Sequence, residues 1–125
     1  MTEEGLKERT KDFARRIIRL VDALPNSVSG QVLRKQVMRS GTSVAANYRA
    51  LCRSKSAADF INKTSIIEEE SDETALWLEL ISETGKLPAT KVNPLLKEAN
   101  ELTAIFVASR RTAQANRKSK IENRK

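Results

Sequence analysis

A chain of 125 residues with no histidine, one cysteine, 4% aromatic residues and a formal net charge of +7 is long enough for one domain with a real core. It lacks the usual means of catalysis: without histidine there is no Ser-His or Cys-His nucleophile pair and no Glu-x-x-His di-iron ligand set, and Cys52 alone forms neither an intrachain disulfide nor a cysteine zinc cluster. The basic excess favours polyanions, nucleic acid or anionic membrane. The same charge also serves solubility, so its distribution along the chain decides more than its sum.

No apolar run approaches the length of a membrane span, and the N-terminus opens with Glu3 and Glu4 rather than an apolar signal core. The expectation is a cytoplasmic, bacterial-type protein with no membrane association, no cofactor and no metal. Three prolines and four glycines in a chain rich in Ala, Leu, Glu, Lys and Arg predict long helices rather than a sheet.

The first helix is predicted over about residues 3–24. Leu6, Thr10, Phe13, Ile17, Leu20 and Leu24 trace its apolar stripe, and Glu3 and Glu4 suit the positive end of the helix dipole. Lys7, Lys11, Arg15 and Arg19 recur every four residues on another face. With Glu8, Asp12 and Asp22 nearby, that stripe reads either as a solvated face or as a phosphate-binding surface. Leu24-Pro25-Asn26 ends the helix, because proline disfavours helical geometry in the residue before it.

The second helix is predicted over about 29–53, with Ser27 or Ser29 as its cap. Leu33, Val37, Ser40, Val44, Asn47 and Leu51 share one face, so polar residues interrupt a core stripe. Gln36, Ser40, Ser43 and Asn47 form a polar line along it. Gly41 lies mid-helix, where glycine costs about 1 kcal/mol relative to alanine, and a close helix–helix approach would explain it. All six charged residues from Ser29 to Lys55 are basic: Arg34, Lys35, Arg39, Arg49, Arg53 and Lys55.

Ser56, with Asp59 three residues on, marks the start of a third helix over about 57–84, which Gly85 stops. Phe60, Thr64, Ile67, Ser71, Thr74, Leu78 and Ile81 form its stripe. Asp59, Glu68, Glu69, Glu70, Asp72, Glu73, Glu79 and Glu83 are opposed only by Lys63. A tight turn makes helices two and three antiparallel neighbours. Equal distances from that turn set Arg39 and Ser40 opposite Glu70 and Ser71, and Gln36 opposite Thr74. Arg39 then pairs with Glu70 or Glu73. The seam of Gln36, Arg39, Ser40, Ser43 and Asn47 against Glu70, Ser71, Glu73 and Thr74 reads as a hydrogen-bond ladder that fixes register. The alternative is a metal or small-molecule site on Glu69, Glu70 and Glu73, which a neutralising arginine opposes.

The fourth helix is predicted over about 94–115, with Asn93 as cap and Pro94 in the first turn. Its stripe is Leu95, Ala99, Leu102, Phe106, Ser109 and Ala113. Residues 116–125 hold Arg117, Lys118, Lys120, Arg124 and Lys125 against Glu122 alone, with little apolar content beyond Ile121, and predict a disordered basic tail. Arg110 and Arg111 extend that basic zone into the helix. Such an arm is either a nucleic-acid device or a solubilising end.

Leu24-Pro25, Gln36, Arg39-Ser40, Ser43-Val44, Asn47, Asp59-Phe60-Ile61, Glu70, Glu73 and Trp77-Leu78 together resemble the bacterial four helix bundle protein family, which includes the 23S ribosomal RNA intervening-sequence proteins. The likeness covers roughly residues 10 to 110. Ala50 and Leu51 stand where many members carry a Glu-Gly pair. The resemblance implies an up-and-down bundle assembled into a homopentameric ring. More distantly, the chain is similar to accessory proteins of diversity-generating retroelements, which form comparable barrels and bind nucleic acid.

The sequence reading is therefore an all-α, antiparallel four-helix bundle over residues 1–115 followed by a basic tail. It is non-enzymatic and oligomeric, and it binds RNA or DNA through backbone charge. Arg110, Arg111, Arg117, Lys118, Lys120, Arg124 and Lys125 are the primary phosphate contacts, and Lys7, Lys11, Arg15 and Arg19 a second surface. The rival reading is a protein-interaction scaffold that binds no nucleic acid. Tyr48 and Trp77 fall near packing faces, which leaves few aromatic rings for base-specific readout.

Overall fold

The computed structural model describes residues 1–124 as four helices, α1 (Glu3–Asp22), α2 (Val28–Leu51), α3 (Ala57–Glu83) and α4 (Ala89–Asn123). Successive helices pack as antiparallel neighbours, and α1 closes against α4 over a shorter stretch. The result is the expected all-α four-helix bundle.

Each helix start and stop has a local cause. Thr2 caps α1, Ser27 caps α2 and Ser56 caps α3, each side chain accepting from the backbone N–H three residues on, at 2.9–3.0 Å. Of the two candidate caps for α2, Ser27 is the one used. Gly30 follows where the chain doubles back: a Cβ there would stand 2.1 Å from the Pro25 carbonyl oxygen. Arg34 donates to the Leu24 carbonyl at 3.1 Å, placing a cation at the negative end of α1. The α3 terminus is a Schellman motif. Lys86 N–H bonds Ile81 O at 3.0 Å and Gly85 N–H bonds Ser82 O at 3.1 Å, with Gly85 at φ 70°.

The stripes meet as their periodicity requires. Phe13, Ile17, Val37, Val44, Ile67, Leu78, Ile81, Ala99, Leu102 and Phe106 are all at most 1% exposed. Tyr48 and Phe106 pack as tilted rings 5.7 Å apart. Gly41 does mark a close approach, because a Cβ there would lie 2.8 Å from Ile17 Cγ1.

Helix α4 departs from expectation at both ends. It begins at Ala89, with Pro88 rather than Asn93 at the cap and Pro94 inside the helix. Val92 explains the early start: it is fully buried and Leu95 is 5% exposed. Burying a valine contributes roughly 1.5–3 kcal/mol, while Pro94 forfeits only the bond to the exposed Thr90. At the other end, α4 continues through Asn123, so residues 116–123 are helical rather than disordered. No glycine or proline follows Pro94, and extending a formed helix is far easier than nucleating one. Lys125 lies outside the described residues.

Candidate nucleic-acid interface

The polar residues predicted between α2 and α3 do not form a continuous ladder. Ser40, Ser71 and Thr74 are fully buried. Thr74 Oγ1 donates across the α2–α3 interface to Ser40 Oγ at 2.8 Å, with the Glu70 carbonyl 2.7 Å away as a second acceptor. Arg39 clamps Glu70 at 3.1 Å and Glu73 at 2.6 Å. The other members turn back on their own helix: Ser43 donates to Arg39 O and Asn47 to Ser43 O. Ser71 Oγ is buried with no hydrogen-bond partner among the described residues, and Gln36 is half-buried. The observed pairing of Ser40 with Thr74 lies one turn beyond equal spacing from the turn. Side chains lean toward the N-terminus of their own helix. In an antiparallel pair this carries α2 side chains away from the turn and α3 side chains toward it.

The acidic trio separates. Glu70 and Glu73 converge on Arg39, and Glu69 is exposed. No group of three or more His, Cys, Asp or Glu among the described residues is placed to hold a metal ion.

The predicted phosphate contacts fall into two sets. Lys7 pairs with Glu3 and Glu4 within α1, and Arg15 with Glu8 and Asp12. Lys11 and Arg19 are exposed on the same helix. Arg110 faces α3, donating to Glu68 at 2.6 Å and to Gln114 at 3.0 Å. That hydrogen bond to Glu68, more than the Coulomb attraction, raises the Arg110 pKa above its ordinary value. Arg110 is thus a bundle tie rather than a free contact. Arg111, Arg117, Lys118, Lys120 and Arg124 are exposed, and no carboxylate pairs with them among the described residues.

Because α4 continues to Asn123, these cations have a fixed geometry. Ala113, Arg117, Lys120, Ile121 and Arg124 follow helical spacing and share one face. With Asn116, and with Ala57 and Phe60 at the start of α3, they line a cleft of about 490 Å³. Phe60 is half-buried, and Ile121 is 47% exposed. The nearest acid on α3, Asp59, is occupied by Lys63 at 2.6 Å and by the Lys55 N–H at 3.0 Å. Those bonds, led by the one from Lys63, hold its carboxyl below the usual range. The floor of this cleft escaped the sequence reading, which placed Phe60 in the core stripe and left Ile121 in a disordered tail. The signal was present in the helical spacing of Ala113, Arg117 and Ile121.

The remaining aromatic residues are packed. Tyr48 is 5% exposed, and burial pushes its phenol pKa up, with the Cys52 thiol as the next cause. Trp77 is half-buried, its indole N–H without a partner among the described residues. Among the described residues, no helix is long and apolar enough to cross a membrane.

A crystal structure of a protein of unknown function from the S23 ribosomal protein family of Bacteroides thetaiotaomicron VPI-5482 is similar to this chain. The two are 34% identical, with a TM-score of 0.78, over 84% of this chain and 97% of the other. No curated protein matches the chain. The family model for the 23S rRNA-intervening sequence protein matches residues 5–108, which includes the seam and stops short of Arg111, Arg117, Lys118, Lys120 and Arg124. With that match spanning all four helices, the chain belongs to the 23S rRNA-intervening sequence protein family.

Proposed function

We propose that this protein is a non-catalytic, cytoplasmic, oligomeric bundle that binds RNA or DNA through phosphate contacts at the C-terminal end of α4. One observation carries this reading: Arg111, Arg117, Lys118, Lys120 and Arg124 crowd one end of the molecule without carboxylate partners among the described residues, whereas Arg9, Arg15, Arg39 and Arg110 are each held by acids. Unpaired cations on an ordered helix release phosphate counterions with little further ordering of the chain, and binding then falls log-linearly with salt. The family's link to ribosomal RNA intervening sequences agrees with a nucleic-acid partner. Lys11 and Arg19 remain a secondary surface.

The test is fluorescence anisotropy of RNA and DNA across a salt series, comparing the full chain with a truncation ending at Ala115. The expected result is binding that survives physiological salt and loses affinity and salt slope on truncation. Absence of binding at physiological salt by both proteins would overturn it.

A second reading, a self-assembling scaffold, has its own support. Val28, Val32 and Met38 are 85%, 55% and 39% exposed on the basic helix α2, and Leu76 is 46% exposed on the acidic helix α3. Opposite charge around exposed apolar residues suits a head-to-tail contact between copies, the kind that closes a ring. Family membership favours a homopentamer. Native mass spectrometry tests it: Leu76→Lys should dissociate the ring, and a monomeric native chain would exclude it.

A further inference from the structure

We infer that the cleft between the start of α3 and the end of α4 takes an unpaired nucleotide of a single strand, so that the protein prefers single-stranded nucleic acid to duplex. This rests on the nucleic-acid reading above and assigns its recognition site. The cleft combines two chemistries. Its floor holds Phe60, Ala57, Ala113 and Ile121, and its rim holds Arg117, Lys120 and Arg124. At 1.5 Å rise per residue, Arg117 to Arg124 spans about 10 Å, matching about three nucleotides of a stacked strand at about 3.4 Å each. The volume of about 490 Å³ lies within the range of sites that enclose small ligands, about 300–1,000 Å³.

A phosphate-only surface needs no apolar floor. An apolar floor beneath three cations fits a ligand with an anionic edge and a flat uncharged face, which describes an unpaired base on its sugar-phosphate. Bases stack on aromatic side chains with little regard to sequence. A duplex keeps its base faces inside the stack, and a base reaches such a floor only after unstacking and unpairing. It would therefore meet the rim alone. RNA and DNA share this chemistry, and only contacts to the 2′-hydroxyl separate them.

The experiment measures binding of fluorescein-labelled 12-nucleotide RNA and DNA single strands, and of duplexes of the same sequence, at matched salt. Native protein is compared with Phe60→Leu and Ala57→Glu. The leucine keeps apolar bulk and removes the ring. The glutamate places a carboxylate in the cleft, in the first turn of α3, where acids favour the helix, so its fold should survive even if that of Phe60→Leu does not. Single strands should bind about tenfold tighter than duplexes. Phe60→Leu should abolish that preference while leaving the salt slope intact. Ala57→Glu should abolish it and weaken binding. The RNA and DNA arms identify the strand that carries the preference. Equal affinity of native protein for single strand and duplex, or a preference that survives both folded variants, would overturn the inference and leave the nucleic-acid reading standing. Absence of any binding at physiological salt would remove both.

Discussion

Arg110 and Arg111 are adjacent in the chain and opposite in role. Arg110 turns onto α3 and is held by Glu68 at 2.6 Å, whereas Arg111 is exposed with no acid paired to it among the described residues. The contrast extends over the molecule. Arg9 ties α1 to α4 through Glu98 and Glu101, and Arg39 ties α2 to α3 through Glu70 and Glu73. Beyond Arg110 the cations of α4 have no such partners, because acidic α3 begins at Ala57 and its first acid is already engaged. Part of the net charge of +7 therefore gathers at the end of α4. Arg9, Arg39 and Arg110 tie helices together, while Arg111, Arg117, Lys118, Lys120 and Arg124 are available to a ligand.

The largest effect should come from removing the second group. Changing Arg111, Arg117, Lys118, Lys120 and Arg124 together to glutamine should cut nucleic-acid affinity by more than about a hundredfold at low salt. The salt slope should fall by about one for each phosphate that is no longer neutralised, with the melting temperature nearly unchanged. A matched fall in melting temperature would erase the distinction between the two groups.

Gly41 breaks the comparison from the bundle side. A Cβ there meets the buried Ile17 at 2.8 Å, and Ile17 has no room to retreat. Gly41→Val should destabilise by about 2–3 kcal/mol through overpacking, measured by urea unfolding, with the salt slope of the folded protein unaltered. Thr74→Val should destabilise by about 1–2 kcal/mol, since it leaves the buried Ser40 hydroxyl with only a distant acceptor, Val37 O at 3.4 Å. Adding Ser40→Ala should recover part of that loss. A double variant no better than Thr74→Val alone would show that the hydroxyl pair is not the source.

The two groups of cations also differ in how legible they were in the sequence. Repeating apolar positions predicted four helices and their order, and Gly41 flagged a close helix–helix approach without naming the partner helix. The opposite charges of α2 and α3 located Arg39 against Glu70 and Glu73. Two things were hidden. One was the lean of side chains within an antiparallel pair, which moved Ser40 from Ser71 to Thr74. The other was the persistence of α4 past Asn116, which depends on helix propagation. A composition rule for disorder registers the charges of residues 116–124 and not the helix already formed before them. The cleft is made of that helix, so the helical spacing of Ala113, Arg117 and Ile121 points to it only once the helix is extended past Asn116.

The smallest expected effect concerns Glu98, and it separates the two groups of cations by pH. Arg9 donates to both Glu98 oxygens, at 2.9 and 2.6 Å, and these bonds hold the Glu98 carboxyl below its ordinary range, opposed by burial. A carboxyl whose pKa is depressed on folding stabilises the native state above its unfolded pKa, about 4.3. That contribution disappears as pH falls through the lower native value. Glu98→Gln should therefore destabilise by about 1 kcal/mol at neutral pH, modest because the pair is partly solvated. The difference from the native chain should stay constant above about pH 5 and shrink below about pH 4. Arginine and lysine on α4 keep their charge throughout that window, so the neutral-pH salt slope for nucleic acid should be the same in Glu98→Gln and the native chain. A lower slope in Glu98→Gln would mean that the α1–α4 closure sets the geometry of the basic end, and the two groups of cations would have to be treated as one system.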